Sequence, residues 1–346
     1  MTTFFFNVIF PLRFNKEEKV FKEKSSKLHE KIKESRSILI TGTKKEDADS
    51  ISAEILLKII IEHEFKEKRV EIVNEEDPPE KFKFLLEEVK IFPYVRRKNE
   101  KYDLGIVVDC GSERTGKVNN IYKNCGYKVK IDHHSFGNEG NYDLEITSTN
   151  VGSTTEIIYH IIKNWNLKLN KRLAKLIYAG LIADTGSFQY DLTKPSSLRI
   201  CAELLETGFD FTKTAEMINL VRTYEMKKLL GLVLCNMAKS KGGNIIYSYI
   251  TNEMLKKTGA TNSDIGDIID ELCFIKDVEI SILLVEEEGG TRVSMRSKGK
   301  INVGEFCKKL ISTGGGHPRA AGCKLNMSIW EAKDFLLQKL EKALIY

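Results

Sequence analysis

The stretch ILITGTKKEDADSISAEILL, residues 38–57, decides the fold. It passes from β-branched and aliphatic residues, through a polar loop with aspartates at 47 and 49, into apolar residues at helical spacing. A strand that feeds a helix through a short polar loop is the opening half of a βαβ unit. Asp47 and Asp49 stand in that loop. Like charges so close repel each other unless water screens them or a cation sits between them.

The same grammar repeats outward from this point. RVEIVN (69–74) reads as a strand, with a helix near 79–89 after the Asp-Pro-Pro at 77–79. DLGIVVDC (103–110) leads to a helix near 116–124, and KVKIDHH (128–134) follows. The apolar run Ile106–Val108 suits a strand buried on both faces of a parallel sheet. Strands alternating with helices predict a doubly wound, mainly parallel α/β domain. Residues 153–239 read mostly as helix, with Ser153 and Asn170 as caps. TYEMKKLLGLVLCNMAKS (223–240) reads as a connecting helix. After KGGN, strand-like runs at 244–250, 278–286 and 291–296 and helices near 263–273, 302–310 and 328–344 indicate a second, smaller α/β domain. The expected division is 1–222, a linker helix over 223–240, and 241–346, with the groove between the domains as a place for a ligand.

Composition is that of a soluble globular chain: 346 residues, 42% hydrophobic, 30% charged, net charge +5. That charge permits an anionic substrate without demanding one. The lysines of NKEEKVFKEKSSKLHEKIKE (15–34) read as a solvated helix face. The seven cysteines (110, 125, 201, 235, 273, 307 and 323) lack CxxC spacing and read as reduced thiols of a cytoplasmic protein. The apolar MTTFFFNVIFPLRF is too short to span a bilayer, and a short strand or arm is expected there rather than a signal peptide or membrane segment.

Chemistry gathers where the elements end. The first strand leads to Asp47 and Asp49, the next to Asp109, the third to Asp132-His133-His134, and a helix ends at Asp184. Ligands of an open parallel sheet bind outside the carboxyl ends of its strands. A lone Asp after a strand is ordinarily a turn or cap residue. Four elements that all end in Asp or His instead predict convergence. Carboxylate and imidazole sites with open positions suit Mn²⁺, Mg²⁺, Zn²⁺ or Fe²⁺, and a pair of such ions hydrolyses phosphate esters.

DADS (47–50), VVDCGSERTG (107–116), IDHH (131–134), ADTGSF (183–188) and STGGGHPRAAG (312–322) occur in this order. Together they resemble the DHH phosphoesterase family, in its nano-RNase/pAp-phosphatase branch, with a DHH domain followed by a DHHA1 domain. The resemblance spans roughly residues 35–326. It implies that Asp109 bridges two divalent ions, Mn²⁺ foremost, that Asp47 ligates one, and that Asp49, His133 and Asp184 ligate the other. It further implies that His134 faces the scissile phosphate and that Asp132 orients the triplet.

The pattern breaks at Thr43, where the family carries a metal-binding histidine, and at Glu46 and Ala48, which replace its proline and glycine. Gln189 stands where many relatives have arginine. The ion on the Asp47 side thereby loses an imidazole, with Glu46 as a candidate oxygen donor. In the second domain, Gly314, Gly315 and Gly316 let the backbone approach an anion, with His317 and Arg319 beside them. Arg296 and Ser297 of VSMRSKG (293–299), and Arg114 of GSERTG, are candidate phosphate contacts.

The resulting expectation is a metal-dependent phosphodiesterase that cuts very short oligoribonucleotides or linear dinucleotides to mononucleotides and also acts on pAp. Two alternatives stay open: a nucleotide-binding DHH protein with catalysis weakened by Thr43, and a RecJ-like single-strand exonuclease. Oligomeric state is open, with a homodimer among the options.

Overall fold

The computed structural model describes residues 16–44, 46–134, 140–219, 222–266, 268–273, 275–311, 314–316 and 318–345. The apolar N-terminal stretch lies outside them. The chain divides into two compact units, Met1–Val221 and Arg222–Tyr346.

In the first unit, β1 (Ser37–Thr41), β2 (Arg69–Asn74), β3 (Ile91–Pro93), β4 (Leu104–Val108), β5 (Tyr127–Asp132) and β6 (Leu144–Thr147) form one parallel sheet in the order β3-β2-β1-β4-β5-β6. Its helices are α1 (Lys16–Glu34), α2 (Ala48–Glu64), α3 (Lys83–Leu86), α4 (Asn119–Tyr122), α5 (Thr154–Asn164), α6 (Lys171–Asp184), α7 (Pro195–Glu206) and α8 (Phe211–Asn219). Side chains alternate across a strand, and here both faces are apolar. Ile38, Ile40, Ile106 and Val108 enter one core with α2, α5 and α6, whereas Leu39 and Val107 enter the other with Ile121 and Tyr122 of α4. β1 and β4 are neighbours, yet the chain leaves β1 toward β2 and leaves β4 toward β5. The crevice opened by such a reversal is where an open α/β sheet receives its ligand.

Three local expectations are corrected. The stretches near 79–89 and 116–124 hold only a 3₁₀ turn and the four-residue helices α3 and α4. β3 and β6 extend the sheet at its two edges, where weak alternation hid them. The lysine-rich α1 is not merely solvated: Leu28 and Ile32 are fully buried, and the Trp165 indole donates to the Ser25 carbonyl at 3.2 Å.

In the second unit, α9 (Tyr224–Cys235) precedes β7 (Ala238–Lys239), β8 (Ile245–Ile250), α10 (Asn252–Thr258), α11 (Ile268–Glu271), β9 (Ile280–Glu287), β10 (Gly290–Ser297), α12 (Val303–Leu310), β11 (Gly315–Gly316), β12 (Ala320–Leu325) and α13 (Ile329–Ile345). The sheet order is β11-β12-β10-β9-β8-β7, with β8 and β9 parallel and the other pairs antiparallel. Leu283 and Val285 meet α9 and α11 on one face, and Ile282 and Leu284 meet α13 on the other. The helix expected over 223–240 ends at Cys235, and its Met226, Leu229 and Val233 lie in this core. No helix among the described residues is long and apolar enough to cross a membrane.

Candidate metal centre

The two aspartates of the opening stretch have different lives. Asp47 is the N-cap of α2: it is exposed, and its carboxylate accepts from the Ser50 amide at 2.9 Å. That is the ordinary task of an Asp at a helix start. Asp49, two residues further along in the first turn, is fully buried. Its two oxygens accept the Thr154 amide at 2.7 Å and the Thr155 amide at 3.0 Å. These are the first amides of α5, so a helix N-terminus holds the carboxylate by direct bonds and by its dipole.

Asp109 follows β4 with φ +60°, a conformation that costs a non-glycine residue energy and recurs at functional sites. Its amide donates to the Ile131 carbonyl at 2.9 Å, and its carboxylate accepts from the Thr154 hydroxyl at 3.0 Å. His133 and His134 follow β5, and Asp184 is the last residue of α6. The outcome is convergence: Asp49, Asp109, His133 and Asp184 each bring a ligand atom within 4.8 Å of all the others.

His133 decides what the cluster is suited to. Its Nε2 lies 3.0 Å from an Asp184 oxygen and 3.6 Å from an Asp109 oxygen. Yet neither buried ring nitrogen has an aligned hydrogen-bond partner among the described residues. A nitrogen close to carboxylates but out of line with them is placed like a fellow ligand of a common centre. The electrostatics agree. Burial, followed by the charges of Asp47, Asp49 and Asp184, raises the Asp109 carboxyl well above the usual range. Burial and Asp49 push Asp184 up to about 8. Burial pulls the His133 imidazole down, but Asp184, Asp49 and Asp132 outweigh it and raise it to about 9. A divalent cation would relieve all three strains at once.

A second group, Asp109, His133 and His134, is as tight. His134 Nδ1 lies 3.6 Å from Asp109 but 2.8 Å from Asp132, whose same oxygen accepts the His134 amide at 3.0 Å. That nitrogen is committed to Asp132, which argues against coordination through it. Burial disfavours charge on Asp132, but the bonds from His134, then its charge and that of Lys130, hold the carboxyl below its usual range.

The Asp47 side is built differently. Asp47 joins neither cluster among the described residues. Thr43 is buried, and Glu46 carries a buried oxygen without a hydrogen-bond partner among the described residues. Burial, against a hydrogen bond from Asn74, raises Glu46 to about 7. Glu54 beneath it is fully buried, with both oxygens accepting from Asn74 at 2.9 and 3.1 Å. Sequence reasoning missed Thr154, Thr155, Glu54 and Asn74. The available signal was Ser153-x-x-Glu156, which marks a helix N-terminus in need of an anion.

Arg114 is exposed, and its carbonyl accepts the Lys44 amide at 2.9 Å, which ties together the loops after β1 and β4. In the second unit, Arg296 Nε donates to Asp270 at 2.8 Å, and Ser297 donates to Glu279 at 3.2 Å. Gly314 packs where a Cβ would stand 2.6 Å from the Cys307 carbonyl. Gly315 and Gly316 form the edge strand β11 against Gly322 and Ala321, so these glycines are an extended edge and not a nest. His317 lies outside the described residues.

Residues 37–181 match the sequence model of the DHH family N-terminal domain, and residues 242–345 match that of the DHHA1 domain. The chain is 31% identical to the bifunctional oligoribonuclease and PAP phosphatase NrnA of Bacillus subtilis, over 85% of this chain and 90% of that one. It is 32% identical to the probable bifunctional oligoribonuclease and PAP phosphatase NrnA of Streptococcus mutans, over 91% of this chain and 97% of that one. An exopolyphosphatase-related protein of Bacteroides fragilis shares the fold with a TM-score of 0.86 at 24% identity, covering 93% of this chain and 96% of that one.

Proposed function

The chain belongs to the DHH family, with a DHHA1 domain as its second unit, and on that premise we propose that it is a metal-dependent phosphodiesterase of very short oligoribonucleotides. Linear dinucleotides belong to the same substrate class, with mononucleotides as the product, and pAp, a phosphomonoester, would be a further substrate that loses a phosphate. The observation that carries the reading is the convergence of Asp49, Asp109, His133 and Asp184, with neither His133 ring nitrogen aligned for a hydrogen bond among the described residues. The two curated relatives at 31% and 32% identity support the substrate class.

Asp49, Asp109, His133 and Asp184 would hold one divalent ion, and Asp47 with the shared Asp109 a second. Mixed imidazole and carboxylate donors suit Mn²⁺. Ions bound there supply an activated water and offset the charge that grows on the phosphate. The protein's own part is positioning. The first turn of α5 fixes Asp49 and Asp109 together through Thr154. His134, oriented by Asp132, meets a phosphate oxygen through Nε2 and stabilises charge there. Arg296, Ser297 and the glycines at 314–316, with His317 and Arg114, would contact the nucleotide. Seven free cysteines, five of them buried, suit a reducing cytoplasm.

The test is incubation of the protein with Mn²⁺ and a diribonucleotide, with mononucleotide release as readout. Release from the dinucleotide but not from a long single strand supports the reading. The reverse preference favours a RecJ-like exonuclease, and binding without release favours a weakened nucleotide-binding protein. A specific observation keeps that last reading alive: Thr43 and the exposed Asp47 leave the second ion without imidazole.

A further inference from the structure

Two buried carboxylates meet at the N-terminus of α5, and only Asp49 belongs to the metal cluster. The other is Glu156, fully buried in the first turn of the helix. A glutamate is almost never fully buried without partners. Its Oε2 accepts the Gly152 amide at 2.9 Å and the Ser197 hydroxyl at 2.6 Å. The N-cap Ser153 accepts the Glu156 amide at 3.1 Å, which leaves the Thr154 and Thr155 amides to Asp49. The Thr154 hydroxyl reaches Asp109 at 3.0 Å. Whatever fixes this turn therefore fixes two members of the cluster. In a capping box the acid three residues on reaches back to the N-cap amide. Glu156 reaches one residue further, to Gly152, and closes 152–156 into a ring. The same oxygen ties that ring to Ser197 in the first turn of α7. Gly152 leaves no slack there: a Cβ would stand 2.7 Å from Ser197 Oγ and 3.1 Å from the methyl of Thr185, the neighbour of Asp184.

We propose that Glu156 is a positioning residue for the metal cluster, a latch that locks the α5 turn holding Asp49 and Asp109 onto the start of α7. This rests on the metal-dependent phosphodiesterase reading. A carboxylate suits the task because one of its oxygens accepts a hydroxyl and an amide together, and its charge strengthens both bonds. That charge also lies at the positive end of the α5 dipole, which offsets the cost of burying it. Without the carboxylate, the Gly152 amide and the Ser197 hydroxyl lose their acceptor in a water-free interior. The turn then loses this tie to α7, and the Thr154 and Thr155 amides lose their fixed aim at Asp49.

The test is Mn²⁺ affinity, read from the electron spin resonance of the free ion as the full chain is titrated. In Glu156→Ala the tighter binding event should weaken by roughly 10–100-fold, the usual effect of losing a partner one step behind a metal ligand. Glu156→Gln should recover most of that loss, because its carbonyl oxygen still accepts both donors. Ser197→Ala keeps the Gly152 bond and should weaken binding less than Glu156→Ala. The control is Leu85→Ala, a buried side chain of the same core on α3, outside this turn. It should lower the melting temperature and keep wild-type Mn²⁺ affinity, which separates a latch from general destabilisation. If Glu156→Ala does not fold, Ser197→Ala against Leu85→Ala carries the test. Wild-type affinity in folded Glu156→Ala or in Ser197→Ala, or an equal loss in Leu85→Ala, would overturn the proposal. A wild-type protein that binds no Mn²⁺ would overturn it together with the phosphodiesterase reading. Should the wild type bind Mn²⁺ yet release no mononucleotide, that reading alone fails, and the affinity ratios still decide the latch.

Discussion

Gly180→Ala sets two physical rules against each other. Gly180 lies inside α6, and an interior helix glycine is worse than alanine by about 0.8–1 kcal/mol, so propensity alone predicts stabilisation. Packing predicts the opposite. A Cβ at 180 would stand 2.3 Å from Asp49 Oδ1, 2.3 Å from the Thr155 hydroxyl and 2.7 Å from the Thr155 methyl. Ordinary contact needs a separation larger by about 1 Å, so Asp49 or α5 must move. Neither is loose: the Thr154 and Thr155 amides pin Asp49, and the Thr155 hydroxyl bonds the Ile177 carbonyl at 3.3 Å. Breaking one charge-assisted bond (about 1.5–3 kcal/mol) and overpacking the site (about 1–3) outweigh the propensity gain, for a net loss of about 1.5–5 kcal/mol. The chain has two tryptophans, at 165 and 330, one in each unit. In a Trp330→Phe background, urea unfolding followed by Trp165 fluorescence reads the first unit alone. Mn²⁺ affinity should fall with stability, because Asp49 is displaced. A Gly180→Ala protein as stable as its parent, with unchanged Mn²⁺ affinity, would refute the view that close packing of α6 on α2 and α5 positions Asp49 as a candidate metal ligand.

Asp109→Ala should abolish hydrolysis and also raise the stability of the metal-free protein, since it removes a buried carboxylate from among like charges; retained turnover in the folded variant would reject the metal scheme. Thr43→His should raise activity at limiting Mn²⁺ by adding an imidazole beside Asp47; no gain at any Mn²⁺ concentration would mean the site is already completed, with Glu46 the first residue to examine. Arg296→Ala should cost about 1.5–3 kcal/mol in substrate binding, roughly tenfold or more in KM, with kcat kept; an unchanged KM would reduce Arg296 to its ion pair with Asp270. Asp184 is raised to about 8 when folded and metal-free, so its burial costs nothing below its unfolded pKa of about 4 and a growing amount as pH climbs toward 8. His133, raised to about 9, loses its stabilisation over about pH 6.5–9; melting temperature without metal should therefore fall across this window, and Mn²⁺ should suppress the fall.

The parts legible in the sequence were those with strong local grammar. β1, β2, β4 and β5 are runs of β-formers that end in polar residues, and the caps Ser153 and Asn170 accept the amides expected of them. β3 and β6 escaped because edge strands of three and four residues carry too little periodicity. The shortened α3 and α4 were overread because apolar spacing cannot distinguish a single helical turn from three. At the site, residue types and their places after strands and a helix foretold that Asp49, Asp109, His133 and Asp184 would meet, whereas Asp47, expected with them, joins no such cluster among the described residues. What they could not foretell was support from distant segments. Thr154 serves Asp49 across 105 positions of the chain and Asp109 across 45, and such pairings are set by tertiary packing alone.

The double aspartate of the opening loop follows from the same distinction. Asp47 spends its carboxylate on the cap of α2, remains exposed, and stands outside the tight cluster. Asp49 is held by amides of another helix, and its cluster partners come from three further elements, each fixed by backbone geometry: the positive φ at Asp109, the end of β5, and the last turn of α6. A site whose ligands are already immobilised loses little entropy on binding and gains the attraction of four clustered donors, three of them buried. A site that must recruit an exposed, capping carboxylate gains less and loses more. One tight and one weak metal event is therefore what the architecture favours, and activity should follow the weak one. On this reading the weakness would originate at Thr43, whose buried hydroxyl supplies no imidazole beside an Asp47 already spent on the cap of α2.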